Sequence, residues 1–162
     1  MAGLARADPT ATGEFGENPD ALLALAGVAT GDPPEEIGTG RRLYHVSSSP
    51  PMTVCFVELE AFTEEVLRVG DEETLRQFEA ELAAHPAAGD LIRHSGGLRK
   101  ARMKLPGRGR SSGARVIYLW LPEARRFVLF LLYTKAKQTD IPPALLVRLR
   151  AAVETIKASY NR

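Results

Sequence analysis

Cysteine is nearly absent from this sequence. Cys55 is the one thiol in 162 residues, which excludes an internal disulfide and a cysteine-based zinc site and points to a reducing compartment. Cys55 itself sits in an apolar, strand-like run, the setting of a small buried hydrophobe. Long apolar runs are missing too: nothing approaches the roughly 20 residues that cross a bilayer. The stretch "ALLALAGVA", Ala21 to Ala29, has the length of a secretory core but follows Glu14, Glu17 and Asp20 instead of basic residues, so the chain is expected to be cytoplasmic and off the membrane. No internal repeat is evident. The most informative absence is of acid: Leu91 to Lys137 holds 12 basic side chains and a single acidic one, Glu123. The net charge of +1 hides this, because Met52 to Asp90 carries 10 acidic and 2 basic residues. A strongly basic segment of this kind asks for an anionic partner.

Residues 1–51 read differently from the rest. They hold six prolines and seven glycines, carry 3 basic against 7 acidic side chains, and show no sustained period of 2 or 3.6. We expect a disordered extension, or an upstream start with Met52 as the alternative initiator, and a folded domain over residues 52–162.

From Met52 the pattern places elements. Val54 to Leu59 is β-rich and gives a first strand. A helical turn follows near Thr63 to Val69. Asp71 then caps a helix to His85, whose Leu75, Phe78 and Leu82 form one stripe before Pro86 ends it. Leu98 to Leu105 alternates, with Lys100, Arg102 and Lys104 on one face and Ala101, Met103 and Leu105 on the other. Arg115 to Leu121 and Phe127 to Tyr133 are apolar on both faces, as central strands are, joined by a hairpin at "PEARR". Asp140 is expected to cap a last helix from about Pro142 to Ser159, striped by Leu145, Leu149, Ala152, Val153 and Ile156. The reading is an α+β domain in the order β-α-α-β-β-β-α.

Same-face cations on a strand stand about 6.7 Å apart, close to the phosphate spacing of an extended RNA strand. Lys100, Arg102 and Lys104 could therefore follow an RNA backbone, helped by Arg108 and Arg110 in the "PGRGRSSG" loop and by Arg115. Tyr133 and Lys135 close the next strand, where a ring can stack on a base and an ammonium can meet a phosphate. The alternative is a merely solvated basic face, or lysines that protect a sheet edge. Cleaving RNA requires the 2′-hydroxyl to lose a proton, the phosphorane charge to be stabilised and the 5′-oxygen to gain a proton. Arginine and lysine supply the stabilisation, and a lysine or tyrosine of lowered pKa moves protons. The set available for that chemistry is Arg102, Lys104, Arg115, Tyr133 and Lys135. A histidine pair is missing, His85 suits a helix end, and His94, before "SGG", stands near enough in sequence to be considered. No carboxylate cluster in the basic half suggests a metal-dependent nuclease, so neither metal nor other cofactor is expected.

The stretches "FVELEAFTEEV", "QFEAELAAHPAAGDLI", "GGLRKARM", "GRGRSSGARVIYLWL" and "LLYTKAKQTDI" with a closing amphipathic helix resemble, over Val54 to Tyr160, the RelE/ParE superfamily of type II toxin–antitoxin toxins, most closely its HigB-like branch. The resemblance implies a small domain with an antiparallel β-sheet packed by helices that enters the ribosomal A site and cuts mRNA. It implies that Arg99, Lys100, Arg102 and Lys104 hold mRNA and ribosomal RNA; Arg108, Arg110 and Lys137 are further RNA-binding candidates by their charge. Arg115 in "GARVIY" and Lys135 in "YTK" then stand where such toxins place cationic catalytic groups, with Tyr133 just ahead of the latter. Mechanistically it implies metal-independent transesterification, and a cognate antitoxin as protein partner. The loop reads "RSSG" where relatives often carry a further cation and two glycines, which leaves open a non-catalytic or decayed module that binds ribosomal RNA or antitoxin. A masking role for the acidic residues 1–51 is a third reading.

Overall fold

Local chemistry sets the element boundaries in the computed structural model, which describes residues 40–46, 52–107, 113–135 and 140–161. In order the elements are β1 (Gly40–Val46), β2 (Met52–Glu58), α1 (Glu60–Val69), α2 (Glu72–Ala84), β3 (Asp90–Leu91), β4 (Leu98–Met103), β5 (Ala114–Leu121), β6 (Arg126–Thr134) and α3 (Pro143–Tyr160). Asp71 caps α2 as expected, its carboxylate accepting the Thr74 N–H at 2.7 Å. Helix α1 starts at Glu60, earlier than its weak pattern indicates, and buries Phe62 and Val66. At α3 the expected cap is corrected. Pro142 is the N-cap, and Asp140 instead accepts the Ile141 N–H at 2.9 Å. A residue ahead of proline is kept out of the helical region, and Pro143 enters the first turn without needing a hydrogen-bond partner for its nitrogen.

The sheet has six strands in the order β1-β2-β6-β5-β4-β3. Two expectations change here. The sheet does not begin at Met52: β1 pairs antiparallel with β2 over seven residues, from Gly40↔Glu58 to Val46↔Met52. Arg41, Arg42 and His45 interrupt any apolar alternation in this stretch, so its pairing comes from the neighbouring strand, not from a local pattern. Residues 1–39 and 47–51 lie outside the described residues. The sheet is also mixed rather than antiparallel, since β2 and β6 run parallel from Cys55↔Arg126 to Glu58↔Leu129 while the other pairs are antiparallel. The β4–β5–β6 meander brings β6 back alongside β2, and the helical crossover between β2 and the meander is long enough for a parallel joint.

Helices cover both faces. On one, Phe62 and Val66 of α1 and Leu75, Phe78 and Leu82 of α2 pack against Phe56, Met103, Val116, Tyr118, Phe127 and Leu129. The other buries the expected α3 stripe, Leu145, Leu149, Ala152, Val153 and Ile156, against Leu98, Ile117, Leu119, Val128 and Leu131. Double coverage explains why β5 and β6 are apolar on both sides. Phe127 stacks on Phe56 with ring centroids 4.5 Å apart and meets Trp120 at 4.3 Å, a contact beyond simple area burial.

Strand β6 is irregular at one point. Ile117 pairs with Leu131 but Tyr118 pairs with Leu129, so Phe130 is a surplus residue in β6. The alternation of the strand therefore changes phase at Phe130. Phe127 and Leu129 face α1 and α2, whereas Leu131 and Tyr133 face α3.

Candidate functional site

Register brings three of the candidate residues into one row. Arg102 of β4 is directly opposite Arg115 of β5, and Arg115 is directly opposite Tyr133 of β6. All three project on the α3 side of the sheet, and the row spans two strand spacings, roughly 10 Å. Exposure falls along it: Arg102 is exposed, Arg115 is half-buried and Tyr133 is 4% exposed. The outer end is open because β3 pairs only with Arg99 and Lys100, stopping short of Arg102. Among the described residues neither Arg102 nor Arg115 has an ion-pair partner. Two cations directly opposite each other on neighbouring strands repel, and only an anion between or above them turns that cost into a gain.

The remaining candidates divide. Lys100 shares the face of Arg102, but its Nζ lies 3.2 Å from Oδ1 of Asp140. Lys104 lies past the end of β4, highly exposed, with Nζ 3.7 Å from Glu81 of α2, so it does not continue the row. Arg99 is on the opposite face of β4 from Arg102, away from the row. Its guanidinium donates to the Gly89 carbonyl at 2.8 Å, and its cross-strand partner Tyr118 holds the same loop, donating to the Pro86 carbonyl and accepting the Gly89 N–H. Lys135 is exposed in the turn that follows β6. Arg108, Arg110 and Lys137 lie outside the described residues. His94 is exposed with φ 60° in the turn before β4. It stands beyond Leu98, itself about 13 Å along the strand from Arg102, which removes it from the row. His85 closes α2 as its C-cap.

The electrostatics of the row reverse one expectation. Tyr133 does not have a lowered pKa: burial of the phenol raises it, Asp140 raises it further, and Arg115 opposes both. A phenol that keeps its proton is a hydrogen-bond donor or an acid, not a base. Its hydroxyl is closed to solvent and has no hydrogen-bond partner among the described residues. Native structures rarely bury a hydroxyl unpaired, and each such case calls for an explanation.

Two acidic partners were not legible in the sequence. Asp140 and Glu81 neutralise Lys100 and Lys104 from positions remote in the chain, and no local pattern announces either contact. Asp140 is held below the usual carboxylate range, first by the Ile141 N–H and then by Lys100. Among the described residues no three His, Cys, Asp or Glu side chains are grouped to hold a metal ion, and no helix is long and apolar enough to cross a membrane. What the row offers is two guanidinium groups without an ion-pair partner among the described residues and one protonated phenol, graded from an open sheet edge into the core. No protein-family model matches the chain.

Proposed function

We propose that this chain is a RelE-like toxin of a type II toxin–antitoxin system, a cytoplasmic endoribonuclease that cuts mRNA on the ribosome and so inhibits translation. The observation that carries the reading is the Arg102–Arg115–Tyr133 row, with its like charges opposed and uncompensated among the described residues. The resemblance over Val54 to Tyr160 supplies the family.

In this reading the 2′-hydroxyl gives its proton to solvent water as its oxygen attacks phosphorus, the phosphorane forms, and the bond to the 5′-oxygen breaks to leave a 2′,3′-cyclic phosphate. Arg102 and Arg115 straddle the non-bridging oxygens and stabilise the charge that grows there, a role in which one lost donor costs about 10²- to 10³-fold. Tyr133 keeps its proton and hands it to the departing 5′-oxygen once RNA binding uncovers the hydroxyl, which is closed to solvent in the free chain. Lys135, exposed just beyond Tyr133, adds a further cation for the backbone. A cognate antitoxin would silence the protein by covering the same row.

The second reading is a binding module without cleavage, and the covered Tyr133 hydroxyl favours it. The test is to induce the full chain in a bacterial host and map new mRNA 5′ ends with a reporter that is, or is not, translated. Cuts in phase with codons on translated messages alone support the nuclease. Growth arrest with intact transcripts supports the module, and neither effect at confirmed expression removes both.

A further inference from the structure

Alternation on β4 offers Lys100 and Arg102 as a pair of cations that could follow an RNA backbone along the strand. Asp140 interrupts that line. Its Oδ1 accepts from the Lys100 ammonium at 3.2 Å and from the Ile141 N–H at 2.9 Å, so one carboxylate oxygen takes up both a cation and a backbone donor. Such a pair of donors is also what a phosphate oxygen seeks. Asp90, in register with Lys100 on β3, makes no ion pair among the described residues, which leaves Asp140 as the acid that engages this lysine. The contact is light. The Asp140 side chain is 74% exposed, and ion pairs this open are readily exchanged.

We propose that Asp140 is a built-in competitor for RNA phosphate at Lys100, a positioning residue that withdraws this lysine from the binding surface and leaves the Arg102–Arg115 crossing as the principal grip. The inference rests on the reading of the row as an RNA surface and adds a direction to it. The backbone is held across the strands, from the open edge of β4 toward Tyr133, instead of along β4. Weak, non-specific RNA loses one cation, while a substrate seated in the row loses none.

The experiment measures binding of the full chain to a fluorescently labelled, unstructured single-stranded RNA across about 50 to 200 mM salt. It compares wild type, Asp140→Asn, Lys100→Gln and the double variant, each checked for an unchanged melting temperature. Freeing Lys100 in Asp140→Asn is expected to tighten binding about two- to fivefold and to steepen the slope of log K against log salt by about 0.7, the contribution of one released counterion on a single strand. Lys100→Gln alone is expected to change little, and Asp140→Asn is expected to have little effect in the Lys100→Gln background. Equal tightening in both backgrounds would mean that Asp140 acts only through net charge and would overturn the proposal. So would an unchanged slope in Asp140→Asn. If none of the four proteins binds RNA, the RNA reading of the row fails, an outcome distinct from either of these.

Discussion

The same chemical change at two tyrosines is expected to act in opposite directions. Tyr118 and Tyr133 are both buried, and Phe in place of either deletes one hydroxyl while keeping the ring. The Tyr118 hydroxyl donates to the Pro86 carbonyl at 2.9 Å and accepts the Gly89 N–H at 3.1 Å. Its loss strands two backbone groups, for a cost of about 1–3 kcal/mol. The Tyr133 hydroxyl has no such partner among the described residues. A hydroxyl buried without a hydrogen bond costs about 1–3 kcal/mol by protein mutational data, so Tyr133→Phe should recover part of that. At roughly 3–4 °C per kcal/mol for a domain of this size, the two variants should melt on opposite sides of wild type, several degrees apart. Thermal unfolding followed by circular dichroism measures this directly. RNA cleavage by Tyr133→Phe should meanwhile fall at least about tenfold, the stability–function trade expected where an unsatisfied group is kept for its chemistry. A Tyr133→Phe variant that melts as low as Tyr118→Phe would refute the reasoning, because the hydroxyl must then have a partner. Raised stability with unchanged cleavage would remove Tyr133 from the reaction and leave the two arginines.

Charge-conserving Arg115→Lys keeps the cation but loses the fork, and should lower cleavage about 10²-fold with RNA affinity changed far less; equal loss of both would make Arg115 a binding residue only. Leu149→Ala, in the buried stripe of α3, should cost about 2–5 kcal/mol in denaturant unfolding, and a loss near zero would mean that α3 is not packed as described. Stability should decline at both ends of the pH range. Tyr118 and Tyr133 hold their protons more tightly in the folded chain, so above about pH 10 the unfolded chain ionises first and folding weakens. Asp71 and Asp140 are held below their usual value, so the stability they contribute is lost as pH falls below about 4. Melting temperatures recorded from pH 3 to pH 11 (roughly) check both limbs, and the alkaline limb should be shallower in Tyr133→Phe.

Much of this architecture was written in local pattern. The α2 and α3 stripes, the Asp71 cap and the doubly apolar β5 and β6 follow from period and burial. What escaped was long-range. Nothing in Arg41-Arg42 marks a strand, because β1 is defined by its partner β2. The parallel joint of β2 with β6 depends on where the meander ends. The ion pairs of Lys100 with Asp140 and Lys104 with Glu81 join residues from different elements. Arg99 is a different case: alternation alone places it on the face opposite Lys100 and Arg102, whereas the resemblance groups the three. Of the candidate site, Arg102, Arg115 and Tyr133 were named from the sequence, but their alignment in one row required the register.

The surplus residue in β6 has a consequence for how this strand tolerates change. Its first half, Arg126 to Leu129, is tied to β2 on one side and β5 on the other, while its second half carries Tyr133 to Arg115. Phe130 splices these halves out of phase. Straight alternation from Phe127 would turn Tyr133 toward α1 and α2, away from both arginines. Deleting Phe130 should leave the phenol in place at the cost of one buried ring. Inserting a single residue between Leu131 and Tyr133 should send it to the other side while much of the core survives. The strand thus behaves as two reading frames, one for the scaffold and one for the site, joined at a single residue where either can drift without dragging the other.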